Sequence, residues 1–117
     1  MSQITRLGES RRWSDVVIHA GIAYWVEVAA DLDQDAAGQI AQVLAQIDAT
    51  LVQIGSSRER LLQVLVYLAD LQEVTVLNER WDAWVPAGHA PIRACVGAEL
   101  GPGCRVEMVI TAAVPAT

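Results

Sequence analysis

Arg93 and Glu107 each sit inside an apolar run, Ile92 to Val96 and Val106 to Ala112. A guanidinium presents a planar fork of donors that suits a carboxylate and stays charged when partly desolvated. Arg93 is therefore the first candidate for holding a small anion. Glu107 is flanked by Val106, Met108, Val109 and Ile110. A carboxylate in such company costs free energy if buried alone, so it needs a partner or a raised pKa. The plainer alternative makes Arg93 a structural arginine paired with Glu99 or Glu107, and Glu107 its neutraliser.

Cys95 lies two residues after Arg93, on the same side of an extended chain. Thiol chemistry requires a lowered pKa, and the only nearby aid is the Arg93 charge. Cys95 is thus expected to shape a pocket by its size and backbone amide, not to act as a nucleophile. His89 stands in the Gly/Pro-rich segment Pro86 to Pro91 and is a candidate for the pocket mouth; His19 reads as structural. No Ser-His-Asp set, His-x-x-x-His pair or Cys-x-x-Cys pair is recognisable, so no metal site is expected. Gly101-Pro-Gly103 lacks the spacing and the following helix of a phosphate loop.

The two apolar runs flank that Gly-Pro-Gly turn, which predicts an antiparallel hairpin. With its turn near Pro102, Arg93 and Glu107 fall near one sheet end on one face, if the register allows. Upstream, Ile4 to Leu7 reads as a short strand. Asp15 to Ala20 and Ile22 to Ala29 read as a hairpin about Gly21. Asp31, Asp33 and Asp35 precede a helix whose stripe is Ile40, Val43, Leu44, Ile47, Leu51 and Ile54, with Gly55 as its stop. Leu61 to Leu68 fits a buried strand or a buried helix equally by periodicity. Asp70 and Glu73 have capping-box spacing and open a second helix with the stripe Leu71, Val74, Leu77, Trp81 and Trp84. Strands, helix, strand, helix, strands make an α+β layer, a mixed sheet with two helices on one face.

With 117 residues there is room for one domain, spanning 1–117. The net charge of −6 and the scarcity of basic clusters beyond Arg11-Arg12 and Arg58/Arg60 argue against nucleic-acid binding. No apolar run approaches the roughly 20 residues of a bilayer span. The start Met-Ser-Gln-Ile-Thr-Arg lacks the pattern of a signal peptide, and two cysteines are too few for a disulfide framework. A cytoplasmic setting is expected. Hydrophobic residues make up 53% and charged residues 19%, so apolar surface left over for self-association is one reading and a greasy core the other.

Pro91-x-Arg-Ala-Cys-Val96, then Leu100, then Val106-Glu-Met108 resembles the C-terminal signature of the reactive intermediate deaminase (Rid, YjgF) family. Arg12 to His19 and Trp81-Asp-Ala-Trp-Val85 with Gly88-His-Ala-Pro91 resemble a small bacterial branch of it. The resemblance implies a chorismate-mutase-like fold, favours a strand for the later part of Leu61 to Leu68, and implies a homotrimer with sites between subunits. It further implies hydrolysis of reactive 2-imino acids, such as 2-iminopropanoate, to 2-oxo acids and ammonia without metal or organic cofactor. Arg93 would then hold the substrate carboxylate and Glu107 the attacking water, with Cys95, Trp13, Val26 and His89 shaping the pocket. Trp13 stands where better-known members have tyrosine, and Val26 where they have a Ser or Thr hydroxyl. Glu27 either faces the pocket, repelling an anion or replacing the lost hydroxyl, or faces solvent, so that the site has only lost a hydroxyl. The competing expectation is a non-catalytic trimer that binds a carboxylate-bearing metabolite; a ribonuclease is disfavoured by the acidic charge.

Overall fold

A computed structural model describes residues 3–115. Six strands and two helices follow in the order β1 (Ile4–Leu7), β2 (Val16–His19), β3 (Ile22–Val28), α1 (Ala36–Gln53), β4 (Leu61–Leu68), α2 (Val74–Trp84), β5 (Ile92–Gly97) and β6 (Val106–Ala113). The strands form one mixed sheet in the order β1-β2-β3-β6-β4-β5. This is the expected α+β layer, with both helices packed against the buried side of the sheet.

Local chemistry accounts for most element ends. The β2–β3 turn places Ala20 at φ 53° and Gly21 at φ 78°, with His19 opposite Ile22. Two successive positive φ values define the tight hairpin turn whose twist matches the strands. Asp35, the last of the three acids, caps α1 by accepting from the Gly38 N–H at 2.9 Å. Gly55, at φ 74°, lets the chain leave that helix. Asp70 accepts from the Gln72 N–H, but what it opens is a single tight turn, Leu71–Glu73, before α2. The buried stripe of α2 is consequently Leu77, Trp81 and Trp84, whereas Leu71 is exposed.

The whole of Leu61–Leu68 is strand, which settles the ambiguity left by its periodicity. It also overturns the predicted terminal hairpin. β4 lies between β5 and β6, antiparallel to β6 and parallel to β5. Its inward residues Leu61, Val64, Val66 and Leu68 are buried, and an interior place in the sheet covers that apolar surface best. β5 reaches β4 in parallel through α2, and the Gly-Pro-Gly loop then carries the chain past β4 to β6, which also pairs with β3.

Alternation along the strands gives the sheet two unlike sides. Trp25, Ile110 and Val64 face the helices, as do Met108 and Val66, all of them buried. The other side carries three rows of four residues across β3, β6, β4 and β5. These are Tyr24-Thr111-Gln63-Ile92, Val26-Val109-Leu65-Ala94 and Val28-Glu107-Tyr67-Val96. Among the described residues no helix covers this side, and Val26, Ile92 and Val96 are exposed upon it. Glu107 is the one charged residue in the three rows.

Candidate active site

The β2 ladder ends at Val17 opposite Tyr24, so the last four residues of β3 lack a partner on that edge. The chain before β2 peels away there and leaves a cavity of about 740 Å³. Trp13, Asp15, Val26, Glu27 and Glu107 line it, together with Thr50 and Gln53 from the last turns of α1. Four of the residues discussed from the sequence, Trp13, Val26, Glu27 and Glu107, therefore come together. Val26 offers the cavity only methyl groups, and Trp13 is 65% exposed.

Glu27 projects to the helix side of β3. Its carboxylate accepts from Gln46 Nε2 at 3.0 Å and from Thr50 Oγ1 at 2.9 Å. Gln46 Nε2 also donates to the Val28 carbonyl at 2.7 Å. Glu27 thus ties β3 to α1 and lines the cavity from the helix side, whereas Glu107 reaches it from the uncovered side. The question of its orientation is a matter of strand parity: Glu27 shares the buried side with Trp25.

Arg93 and Cys95 occupy a different region. Arg93 also points to the helix side, where its Nη2 donates to Asn78 Oδ1 at 2.8 Å. Its guanidinium carbon lies 5.4 Å from the centre of the Trp81 ring. It pairs with neither Glu99 nor Glu107. Among the described residues the ion pair is Arg58 with Asp48. Cys95 is half-buried beside Arg93; burial raises its thiol pKa, and the Arg93 charge only partly opposes this. His89 is exposed in its loop, with Nδ1 3.1 Å from the Ala87 carbonyl oxygen. Among the described residues, no group of three or more His, Cys, Asp or Glu is placed to hold a metal ion. No helix there is long and apolar enough to cross a membrane.

The expected single face for Arg93 and Glu107 is therefore corrected. Arg93 registers with Val64 and Glu107 with Tyr67, on opposite sides of β4. Two strand spacings and three residue rises separate their Cα atoms by roughly 14 Å. The side chains also leave the sheet in opposite directions. Within one chain these candidate residues fall into two separate groups: Glu107, Trp13 and Val26 at the cavity, and Arg93 and Cys95 on the helix side of β5.

Asn78 was not singled out by sequence reasoning, and Trp81 was read only as core. Their contact with Arg93 depends on the packing of α2 over β5, which the spacing of residues 78 and 93 does not encode. A second cluster was missed for the same reason. Asp48 accepts from Arg58 Nε and Nη2 at 2.8 Å each, and Trp84 Nε1 lies 3.2 Å from both Asp48 oxygens. Arg58 also donates to the Trp84 carbonyl at 2.9 Å and sits 5.0 Å above its ring. The Asp48 hydrogen bond raises the Arg58 pKa, against desolvation.

Comparison with known proteins follows the same outline. The family model described as Endoribonuclease L-PSP matches residues 3–114. The RutC family protein YoaB of Escherichia coli is 47% identical over 112 residues, covering 95% of this chain and 98% of its own. An uncharacterised protein from Pseudomonas aeruginosa superposes with a TM-score of 0.92 at 38% identity, over 97% of this chain and all of the other. NMB1025 of Neisseria meningitidis, a member of the YjgF family, gives a TM-score of 0.90 at 38% identity, over 98% of each chain. The signature around Arg93 and Glu107, the six-stranded sheet and a family match over nearly the full length agree: the chain belongs to the Endoribonuclease L-PSP (YjgF/Rid) family.

Proposed function

We propose that this protein is an imine/enamine deaminase that hydrolyses reactive 2-imino acids, 2-iminopropanoate among them, to 2-oxo acids and ammonia. The observation that carries this reading is Glu107, the carboxylate of the uncovered sheet side, at the edge of a cavity that Asp15 and Glu27 also line and that Arg93 of the same chain cannot reach. In a homotrimer packed through that side, Arg93 and Cys95 of one subunit would complete the cavity holding Glu107, Trp13 and Val26 of the next. His89 would stand at its mouth. The apolar rows around Glu107 suit burial between copies, which would also remove the carboxylate from bulk water.

The chemistry asks little of the protein, since an imine carbon is already electrophilic. Arg93 would hold the substrate carboxylate by two hydrogen bonds, fixing the imine carbon in the cavity. Glu107 would accept a proton from water as its oxygen bonds to that carbon, and the imine nitrogen would take up a proton. Glu107 then returns its proton to the nitrogen and takes up the hydroxyl proton as the carbon–nitrogen bond breaks, so that ammonia leaves and the carbonyl of the 2-oxo acid forms. Passing that proton back to water restores the carboxylate and balances the one taken up by the imine nitrogen. No electrons are exchanged with a third party, and the overall change is addition of one water and loss of one ammonia. The two thiols, Cys95 and Cys104, are unpaired, in keeping with a reducing cytoplasm.

Val26 favours a second reading, a non-catalytic trimer that binds a carboxylate-bearing metabolite, because it brings no hydroxyl to the cavity. The discriminating assay generates 2-iminopropanoate in situ and compares wild type with Arg93→Ala and Glu107→Ala. Acceleration by wild type that both variants lose supports the deaminase. Retained binding of a 2-oxo acid by Glu107→Ala, with no acceleration by wild type, supports the binder.

A further inference from the structure

We infer that Asn78 and Trp81 are positioning residues for Arg93, holding its guanidinium between two neutral groups so that its charge remains free for a carboxylate ligand. This rests on the role of Arg93 in the function proposed above and names the machinery that prepares it. Asn78 Oδ1 takes one of the five guanidinium protons, through Nη2. Trp81 covers one face of the group at 5.4 Å. Trp81 is itself 6% exposed and braced by Trp84, whose ring centre lies 5.5 Å away at 46°. An amide oxygen orients a cation without cancelling it, and an indole face attracts it without consuming an N–H. Four donors remain, enough for a two-bond grip on a carboxylate.

The same protein shows the opposite arrangement ten residues past Asp48. Arg58 also lies on an indole, but its hydrogen bonds go to a carboxylate and a carbonyl, which leaves it no comparable freedom. Replacing Asn78 by aspartate, nearly the same in shape, would turn the Arg93 arrangement into the Arg58 one. The substitution therefore separates orientation from charge.

The test titrates pyruvate, with pyruvamide as the uncharged control, into assembled wild type, Asn78→Asp, Asn78→Ala and Arg93→Ala. The imine assay gives kcat and KM alongside. Asn78→Asp is expected to weaken pyruvate by about tenfold or more, raising KM far more than it lowers kcat, while leaving pyruvamide unchanged. It should unfold at the same or higher denaturant concentration, whereas loss of a merely structural amide would lower it. Asn78→Ala, which frees the guanidinium to swing, should weaken pyruvate several-fold and serves if the aspartate variant does not fold. Pyruvate affinity in Asn78→Asp and Asn78→Ala equal to wild type, with Arg93→Ala alone losing it, overturns this inference and spares the proposed function. Wild type and Arg93→Ala alike in pyruvate affinity would overturn both.

Discussion

Arg58 and Arg93 lie on adjacent tryptophans of one helix and differ in what they face. Arg58 meets Asp48 with two 2.8 Å hydrogen bonds, and Trp84 donates to the same carboxylate. Arg93 meets the neutral oxygen of Asn78 with one. A cation satisfied by a carboxylate joins parts of the fold, here the loop after α1 to both helices. A cation held by an amide is still available to an incoming anion. Two arginines in like surroundings thus take different parts through one oxygen-bearing group each.

Exchanging the fork for a point charge should separate the two most widely. Arg93→Lys is expected to cost about tenfold or more in affinity for a 2-oxo acid, with little change in stability. Arg58→Lys should leave that affinity alone and cost about 1–2 kcal/mol in denaturant unfolding at fixed protein concentration. The estimate is modest because the two side chains are 40% and 34% exposed. If Arg58→Lys weakens the ligand as much as Arg93→Lys does, the two sites are not distinct.

Asp48→Asn sharpens the contrast by giving Arg58 the kind of partner that Arg93 has. It should cost about 1 kcal/mol in the same unfolding measurement without altering the ligand isotherm. A loss above about 3 kcal/mol would mean that the Asp48 charge acts as if deeply buried. The smallest effect concerns Cys95, beside Arg93. Burial favours its neutral thiol, so the thiolate fraction at a given pH is below that of a free cysteine. Alkylation of Cys95 in the folded protein should therefore be slow near pH 8 and rise to a midpoint above that of an unfolded control. A midpoint below the control would show that the Arg93 charge prevails.

Much of the architecture was legible because its signals are local. The stripe from Ile40 to Leu51, the Asp35 cap and the Gly55 stop all act within a few residues of themselves. The terminal hairpin was misread for a related reason: Gly101-Pro-Gly103 looks the same whether it joins neighbouring strands or passes over one. Nothing local announces that β4 enters between them. Arg93 and Glu107 were legible as residues, since charges inside apolar runs stand out, while their relation to one another was not.

The sequence by itself determined which residues alternate to either side of each strand and where α1 begins and ends, through side-chain parity, helical period and capping. It also set the chemistry on offer: the guanidinium fork of Arg93, the carboxylate of Glu107, and at Val26 a side chain that brings no hydroxyl. Only the tertiary structure decided that Arg93 faces Asn78 and Trp81, that Glu27 turns to Gln46 and Thr50, and that Glu107 stands on the other side of the sheet. The physical reason is strand order. Strand pairing joins segments far apart in the chain, and placing β4 between β5 and β6 fixed the register that sends two nearby charges to opposite sides.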